Sequence, residues 1–280
     1  MLKHDFYVLI VVYKQQLADT QTFQTLMLTP CDILCRMKLI VWDNSPSDFI
    51  SDIPSDLKQF GDFKYIKSEK NEKLSILYNK VLDEQFCSDG FFSILDQDTC
   101  VPAGFFSEIE NAKIDDKLMV PRVVSIKTNN LISPRYQTYS KILHKAKVVK
   151  ILGKNDSGIL NSSNFFAVGS GLTIPKKLWD TGIFFEEALS FYGVDTEFCF
   201  RYSLLQDKFY LLNVDFYHDA SDYNPEERPE VKKWRHRKYI EYLSYVLKSR
   251  SNIPECMVFL LVMIRVFKFN LKQFFVNLKH

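Results

Sequence analysis

The chain has 280 residues, of which 46% are hydrophobic and 25% are charged, and its formal net charge is +2. This composition excludes a disordered protein and favours one large domain with an appendage. The nearly balanced charge gives no general signature of nucleic-acid binding, so we expect no nucleic-acid partner. The six cysteines lack the short paired spacings of a zinc site, and we expect them to be reduced thiols in the cytoplasm.

The first hundred residues alternate apolar runs with helical patterns. Short apolar runs predict buried strands at 6–12, 38–42, 63–66 and 91–95. Apolar residues at helical spacing predict helices at 15–27 and 74–82. The first run resembles the apolar part of a signal peptide, but it lacks a small-residue cleavage site, and we interpret it as a strand. The alternation predicts a doubly wound α/β sheet with helices on both faces.

The following segments extend this α/β pattern. We predict a helix at 105–112, a strand at 117–121, a helix from about 195 to 205 and a strand at 209–214. The polar and basic stretch 126–150 has little periodicity, and we predict loops over the active face there. Between this stretch and the helix predicted from about 195, apolar residues flank a Gly-Ser-Gly bend at 169–171.

Two carboxylates one residue apart, Asp96 and Asp98, follow the strand at 91–95 directly. Ligands of open α/β sheets bind at the carboxyl ends of the strands, and side chains at i and i+2 of an extended segment point the same way. Both carboxylates therefore could face one divalent cation and the phosphates that it carries. With 21 aspartates in the chain, chance alone also produces such a spacing, so the context must decide.

Five further residues have both a functional and a structural interpretation. Asp43 follows the second strand, where it would contact a ribose or base, or it belongs to a turn. Gly171 permits close approach of the backbone to a ligand, or it marks a strand kink. Asp195 is a reactive carboxylate or a helix N-cap. Arg201 orients an acid or closes a salt bridge, and His218 is a metal ligand or a hydrogen-bonded structural residue.

The order of these motifs over residues 5–220 resembles the family-2 inverting glycosyltransferases of GT-A fold, especially rhamnosyltransferase-like enzymes of bacterial polysaccharide synthesis. The residues that carry the resemblance are Val11-Val12-Tyr13, Val41-Trp42-Asp43-Asn44-Ser45, Asp96-Gln97-Asp98, Asp195-x-Glu197-Phe198-x-x-Arg201 and His218. Neither G-x-G-x-x-G after the first strand nor a P-loop motif occurs, so phosphates would need a metal instead of a glycine cradle.

The resemblance implies a Rossmann-like mixed sheet and a nucleotide-diphospho-sugar donor, linked to UDP or dTDP. It implies that Tyr13 and Asp43 contact the nucleoside and that Asp96 holds the sugar diphosphate. We place Gly171 and Arg201 with them as candidate donor-binding residues. Asp98 would bind the diphosphate through Mg²⁺ or Mn²⁺, with His218 as a further metal ligand.

The same resemblance makes Asp195 the catalytic base. Val194 replaces the Glu that often precedes this base in the family, which leaves Glu197 as the alternative base. The implied acceptor is a hydroxyl of a growing cell-surface glycan such as O-antigen, lipopolysaccharide or capsule. A nucleotidyltransferase and a noncatalytic binding or scaffold module are the competing functions, and a nucleotidyltransferase would be expected to carry a glycine-rich phosphate loop.

We predict a boundary near Pro225 and Pro229 that separates a catalytic domain, 1–224, from C-terminal helices, 225–280. A basic, aromatic helix is predicted at 232–248, and a second helix begins near Pro254. Basic residues at 265, 268 and 272 interrupt its apolar run, which favours an amphipathic helix on an anionic membrane surface. Packing on the catalytic domain or on a second subunit is the alternative.

We therefore expect a cytoplasmic protein, or a peripheral one on the inner face of the plasma membrane. The resemblance suggests a polyprenyl-diphosphate-linked glycan at the inner leaflet as one acceptor.

Overall fold

The computed structural model describes residues 5–139, 146–218, 228–250 and 253–277. Its strands are β1 (Phe6–Val12), β2 (Met37–Asp43), β3 (Asp62–Lys67), β4 (Phe91–Asp96), β5 (Thr99–Cys100), β6 (Met119–Ser125), β7 (Leu131–Ser133), β8 (Arg135–Tyr139), β9 (Ala146–Ile151), β10 (Gly158–Asn161), β11 (Phe165–Phe166), β12 (Thr173–Pro175) and β13 (Lys208–His218). The α-helices are α1 (Gln21–Leu26), α2 (Cys31–Leu34), α3 (Leu74–Gln85), α4 (Phe105–Ala112), α5 (Lys176–Trp179), α6 (Val194–Leu205), α7 (Pro229–Arg250) and α8 (Glu255–Asn277).

Most strands form one mixed sheet with the order β10-β13-β6-β12-β4-β1-β2-β3. β1 pairs in parallel with β2 and with β4, β2 pairs in parallel with β3, and β6 pairs in parallel with β13. β12 lies antiparallel between β4 and β6. The carboxyl ends of the parallel strands therefore meet at one edge, which is where a ligand site is expected.

Helices cover both faces of this sheet. On one face, α3 and α6 contribute buried residues such as Tyr78 and Phe198 to a core with alternate residues of β1 and β2. On the other face, α1, α2 and α4 pack against the intervening strand residues, including Val8 and Ile10. Strands buried on both faces explain the continuous apolar runs of the sequence. The predicted α/β architecture with helices on both faces is confirmed.

Three predicted segments differ from the structure. Residues 15–27 do not form one helix, because the Thr20 side chain accepts a hydrogen bond from the Phe23 amide and begins α1 only at Gln21. The strand predicted at 117–121 lies at Met119–Ser125, and that predicted at 209–214 continues to His218.

The prediction of loops throughout 126–150 was wrong. β7 pairs with β6, while β8 pairs with β9 and β11 in a separate sheet of three strands. Every residue of β9 is exposed, so its sequence carries none of the burial periodicity from which strands are recognised. Backbone pairing with β8 holds it instead.

The C-terminal helices pack partly on the rest of the protein. Arg250 of α7 forms an ion pair with Glu197 of α6, and Arg235 donates a hydrogen bond to Tyr192 with an N···O distance of 3.1 Å. α8 packs on α7 through a small cluster around Leu243 and Val258. No helix in the described ranges combines the length and hydrophobicity that a membrane crossing requires. The predicted boundary at 224/225 lies outside the described residues, so the two-domain division stays a prediction.

Candidate functional site

Aspartates end the two strands that flank β1. Asp43, the last residue of β2, pairs with Val12, and Asp96, the last residue of β4, pairs with Val11. Both lie at the carboxyl edge of the sheet. After Asp96 the chain reverses direction, and Asp98 directly precedes β5. β5 pairs antiparallel with the end of β13, so that Thr99 lies opposite His218. This pairing joins Thr99 and His218, which are 119 positions apart in the sequence.

Asp96, Asp98 and His218 form a cluster in which one ligand atom of each lies within 4.8 Å of the others. His218 Nδ1 is 3.4 Å from Asp98 Oδ1 and 3.0 Å from the Thr99 hydroxyl. All three side chains are half-buried. The structure thus brings together the three residues that the sequence predicted as diphosphate and metal ligands.

The Asp96 carboxylate is electrostatically strained. Burial is the main cause that raises its pKa; His218 opposes this shift, and the carboxylates of Asp98 and Asp195 add to it, so the pKa of Asp96 is about 6. Within the part of the chain that the structure describes, no side chain donates a hydrogen bond to this carboxylate. A cation placed beside it would offset both the cost of burying the charged carboxylate and its repulsion by the neighbouring carboxylates.

The chemistry of the donor set fits a divalent cation. Carboxylate oxygens suit Mg²⁺ and Mn²⁺, and an imidazole nitrogen is a common ligand of first-row transition metals. These three ligand atoms would supply only part of the ligands of such a cation, so water or phosphate oxygens would supply the others. Asp96, Asp98 and His218 could therefore hold Mg²⁺ or Mn²⁺.

Asp195 is the second residue of α6 and lies close enough to Asp96 for their charges to interact. It is not the N-cap, because Gly193 occupies that position. Asp195 Oδ1 accepts a hydrogen bond from the Thr196 amide at 2.7 Å. Burial raises the pKa of Asp195, while this hydrogen bond and the nearby charge of Arg135 oppose the shift. The structure thus provides a half-buried carboxylate with a raised pKa beside the cluster.

The Gly-Ser-Gly bend links these two parts of the site. A methyl group built on Gly169 would lie 3.9 Å from Asp195 Cβ. The Ser170 hydroxyl is 2.7 Å from the Thr99 hydroxyl and accepts a hydrogen bond from the Asp96 amide at 3.3 Å.

Gly171 has a packing role in this bend. Its φ is +83°, and a Cβ there would lie 2.4 Å from Pro121 Cγ. The buried position favours the strand-kink interpretation of Gly171 over close approach to a ligand.

Asp43 has a saturated environment. Its side chain is fully buried and accepts hydrogen bonds from Ser45, Ser51, Tyr65 and Lys67, the last at 2.8 Å. Burial alone would raise the pKa of Asp43, but these donors hold it well below the usual range. A nucleoside would have to displace a donor to reach this carboxylate.

Tyr13 is 40% exposed, and its backbone amide donates to Gln97 Oε1 at 2.6 Å, between the two aspartates of the motif. The Tyr13 backbone therefore lies beside the motif, and its partly exposed side chain is open to a ligand.

Arg201 and Glu197 belong to a different network, beneath α7. Arg201 pairs with Glu186 and Glu197, and the Glu197 carboxylate also pairs with Arg250. Glu197 is only 3% exposed. This geometry favours the salt-bridge interpretation of Arg201 and leaves Glu197 poorly placed to act as a base, since two guanidinium groups already hold it.

Sequence reasoning missed several residues that support the site. Thr22 donates hydrogen bonds to the carbonyl oxygens of Asp96 and Thr99, which holds the turn between the two aspartates. Arg135 and Tyr78 both interact electrostatically with Asp195: Arg135 lowers the pKa of Asp195, and Asp195 raises that of Tyr78. Only Ser170 had a sequence signal, its place between two glycines. The others are brought in by long-range packing that no local motif reveals.

No protein-family model matches the chain, and no curated protein matches it in sequence. Solved structures match its fold. S. aureus TarS in complex with UDP superposes with a TM-score of 0.52 at 12% identity, over 94% of this chain and 70% of that chain. GalNAc-T7 with UDP, GalNAc and Mn²⁺ superposes with a TM-score of 0.51 at 15% identity, over 90% of this chain and 58% of that chain.

A longer TarS structure also matches, with a TM-score of 0.52 at 12% identity over 94% of this chain and 43% of that chain. The chain therefore spans less than half the length of this relative. At such identities the likeness concerns the fold alone, and it confirms the predicted GT-A type of α/β fold.

Proposed function

We propose that this protein is an inverting glycosyltransferase of the family-2 type that uses a UDP- or dTDP-linked sugar as donor. One observation carries the proposal: the fold gathers Asp96, Asp98 and His218 within 4.8 Å of one another, with Asp195 interacting with Asp96. Structures of similar fold that contain UDP, UDP-GlcNAc or Mn²⁺ support a nucleotide-sugar donor and a divalent cation.

In this proposal, Asp98 and His218 hold Mg²⁺ or Mn²⁺, and Asp96 orients the sugar diphosphate beside it. The bound cation would neutralise the charge that develops on the diphosphate leaving group. Thr22, Thr99 and Ser170 keep the turn that carries both aspartates in place through the hydrogen bonds described above. Tyr13 lies at the exposed side of this turn and would contact the nucleoside.

Asp195 would accept the proton of the acceptor hydroxyl as that oxygen attacks the anomeric carbon. A carboxylate with a raised pKa is a stronger base than an exposed one, so the environment of Asp195 suits this step. Bond formation on the face opposite the departing diphosphate gives a single displacement with inversion. The acceptor is proposed to be a hydroxyl of a growing cell-surface glycan, such as O-antigen or capsule.

Nucleotide binding tests the donor site directly. Titration calorimetry with UDP and dTDP, with and without Mn²⁺ or Mg²⁺, should show binding that depends on the cation. Asp98→Asn should weaken it at least tenfold because a metal ligand is lost. Asp180→Asn is a matched control, since this exposed carboxylate pairs with Lys176.

A screen of nucleotide sugars for cation-dependent hydrolysis would then identify the donor. Equal binding of nucleotide with and without the cation, or none to the wild-type protein, would contradict the proposed donor site.

A further inference from the structure

The exposed face of α8 is unusually apolar. Its solvent-facing side chains recur at one-turn spacing and are 41–67% exposed: Phe259, Leu260, Met263, Ile264, Phe267 and Leu271. The opposite face of the helix, including Val258, Leu261 and Val262, packs against α7. Contiguous apolar patches of this kind on a soluble domain mark an interaction surface.

Charge is distributed very unevenly along the chain. Residues 229–280 contain 11 Lys and Arg against three Asp and Glu, whereas residues 1–228 contain 25 against 31. The positive charge of the whole chain is thus concentrated in the segment that contains the apolar face. Lys233 and Arg237 are exposed on α7, and Lys268 is exposed on α8.

Aromatic side chains accompany these basic residues. Trp234 and Tyr239 of α7 are 37% and 41% exposed. Rings with a polar edge are favoured at the boundary between lipid and water. The helix pair therefore combines an apolar face, exposed rings and excess positive charge, the three features of helices that lie in a membrane interface.

We infer that α7 and α8 dock on an anionic lipid bilayer, with the exposed face of α8 entering the headgroup boundary. Charge complementarity selects this occupant over a second copy of the chain. Two copies joined through this face would bring two strongly basic segments together, whereas anionic headgroups would neutralise them. The surface lies on the C-terminal helices, so the inference stands without the proposed transferase activity.

Vesicle flotation tests the inference with full-length protein and no donor. Vesicles of equal parts phosphatidylglycerol and phosphatidylcholine should carry the wild-type protein upward, and pure phosphatidylcholine should not. Phe259→Asp combined with Phe267→Asp should weaken binding about 100-fold or more, because two rings no longer enter the lipid. Lys233→Gln combined with Lys268→Gln should weaken it about 25-fold, at about fivefold for each charge.

Leu204→Asp is the matched control, since this residue is 70% exposed on α6, outside the helix pair. It should bind as the wild type does, and unchanged circular dichroism and Tm would show that all variants fold. Failure of the wild-type protein to float, or equal flotation with pure phosphatidylcholine, would overturn the inference. The inference would also be overturned if the wild-type protein is a dimer that does not float, while the variant with Phe259→Asp and Phe267→Asp is a monomer. UDP binding without vesicles tests the donor site separately.

Discussion

Asp43 and Asp96 occupy equivalent positions, at the carboxyl ends of the two strands that flank β1, yet their surroundings are opposite. Asp43 is enclosed by four donor residues, among them Lys67, that hold its pKa well below the usual range. Asp96 has no side-chain donor among the described residues, and burial raises its pKa to about 6. The charge of the Asp43 carboxylate is thus stabilised by the protein itself, while the charge of the Asp96 carboxylate is destabilised and would be stabilised by a bound cation.

The same division extends to the other acids. Glu197 resembles Asp43, because it is buried and held by Arg250 and Arg201. Asp195 resembles Asp96, since burial raises its pKa and it interacts with Asp96. Position at a strand or helix end is therefore a weaker guide to function than the balance of donors around each carboxylate.

The largest effect is expected from Asp195→Asn. An amide cannot accept the acceptor proton, so sugar transfer should fall about 10²- to 10⁴-fold, the usual contribution of a general base. The donor Kd should change little, because the variant keeps the Asp96–Asp98–His218 cluster. Steady-state transfer assays and calorimetry measure the two quantities. Asp207→Asn, just beyond α6 and exposed, is the control, and wild-type turnover in Asp195→Asn would remove this residue from the reaction.

Arg250→Ala should cause the largest loss of stability, about 3 kcal/mol, because it removes a cation from a buried carboxylate. Glu197 and Arg250 have side chains only 4% and 13% exposed. Urea denaturation measures the loss. Arg250→Leu combined with Glu197→Leu should recover much of it, since no buried charge is then left unpaired. An Arg250→Ala variant as stable as the wild type would show that Glu197, unlike Asp43, does not depend on its ion pair.

Asp43→Asn should lower the free energy of unfolding by about 1–3 kcal/mol at pH 7, because the amide loses the ion pair with Lys67 and meets donors that need an acceptor. The folded pKa of Asp43 is lowered, so the wild-type carboxylate stabilises the protein above its unfolded pKa of about 3.9. The difference between the two proteins should therefore shrink as the pH falls below about 4. Urea denaturation across this range checks it, and a constant difference would argue against the lowered pKa.

Asp96→Asn should have the smallest effect on stability, with the opposite sign. The pKa of Asp96 is raised, so in the presence of a chelator the wild-type protein loses stability as the pH rises from about 4 to about 6. The variant should be more stable above that range by about 1 kcal/mol, allowing for partial solvation. Adding Mn²⁺ should raise the Tm of the wild type more than that of the variant. Equal increases in Tm for the two proteins would show that Asp96 is not part of the cation site.

The sequence predicted the central strands well because they are buried on both faces, and it located Asp96 and Asp98 from the strand that precedes them. It did not predict how Asp43 is enclosed, since Ser51, Tyr65 and Lys67 come from other segments. The exposed strand β9 was missed for lack of periodicity. His218 was identified by resemblance, but its approach to Asp98 depends on the pairing of β5 with β13, which no local pattern shows.

Gly193 begins the helix that carries Asp195, with φ +81°, and a Cβ built on it would lie 2.0 Å from the Tyr242 ring of α7. The ring fills the space where a side chain at 193 would stand. A side chain at 193 is therefore excluded twice, by the positive φ and by the Tyr242 ring, so the start of the helix that carries Asp195 fits only a C-terminal segment that packs against a bare glycine backbone there.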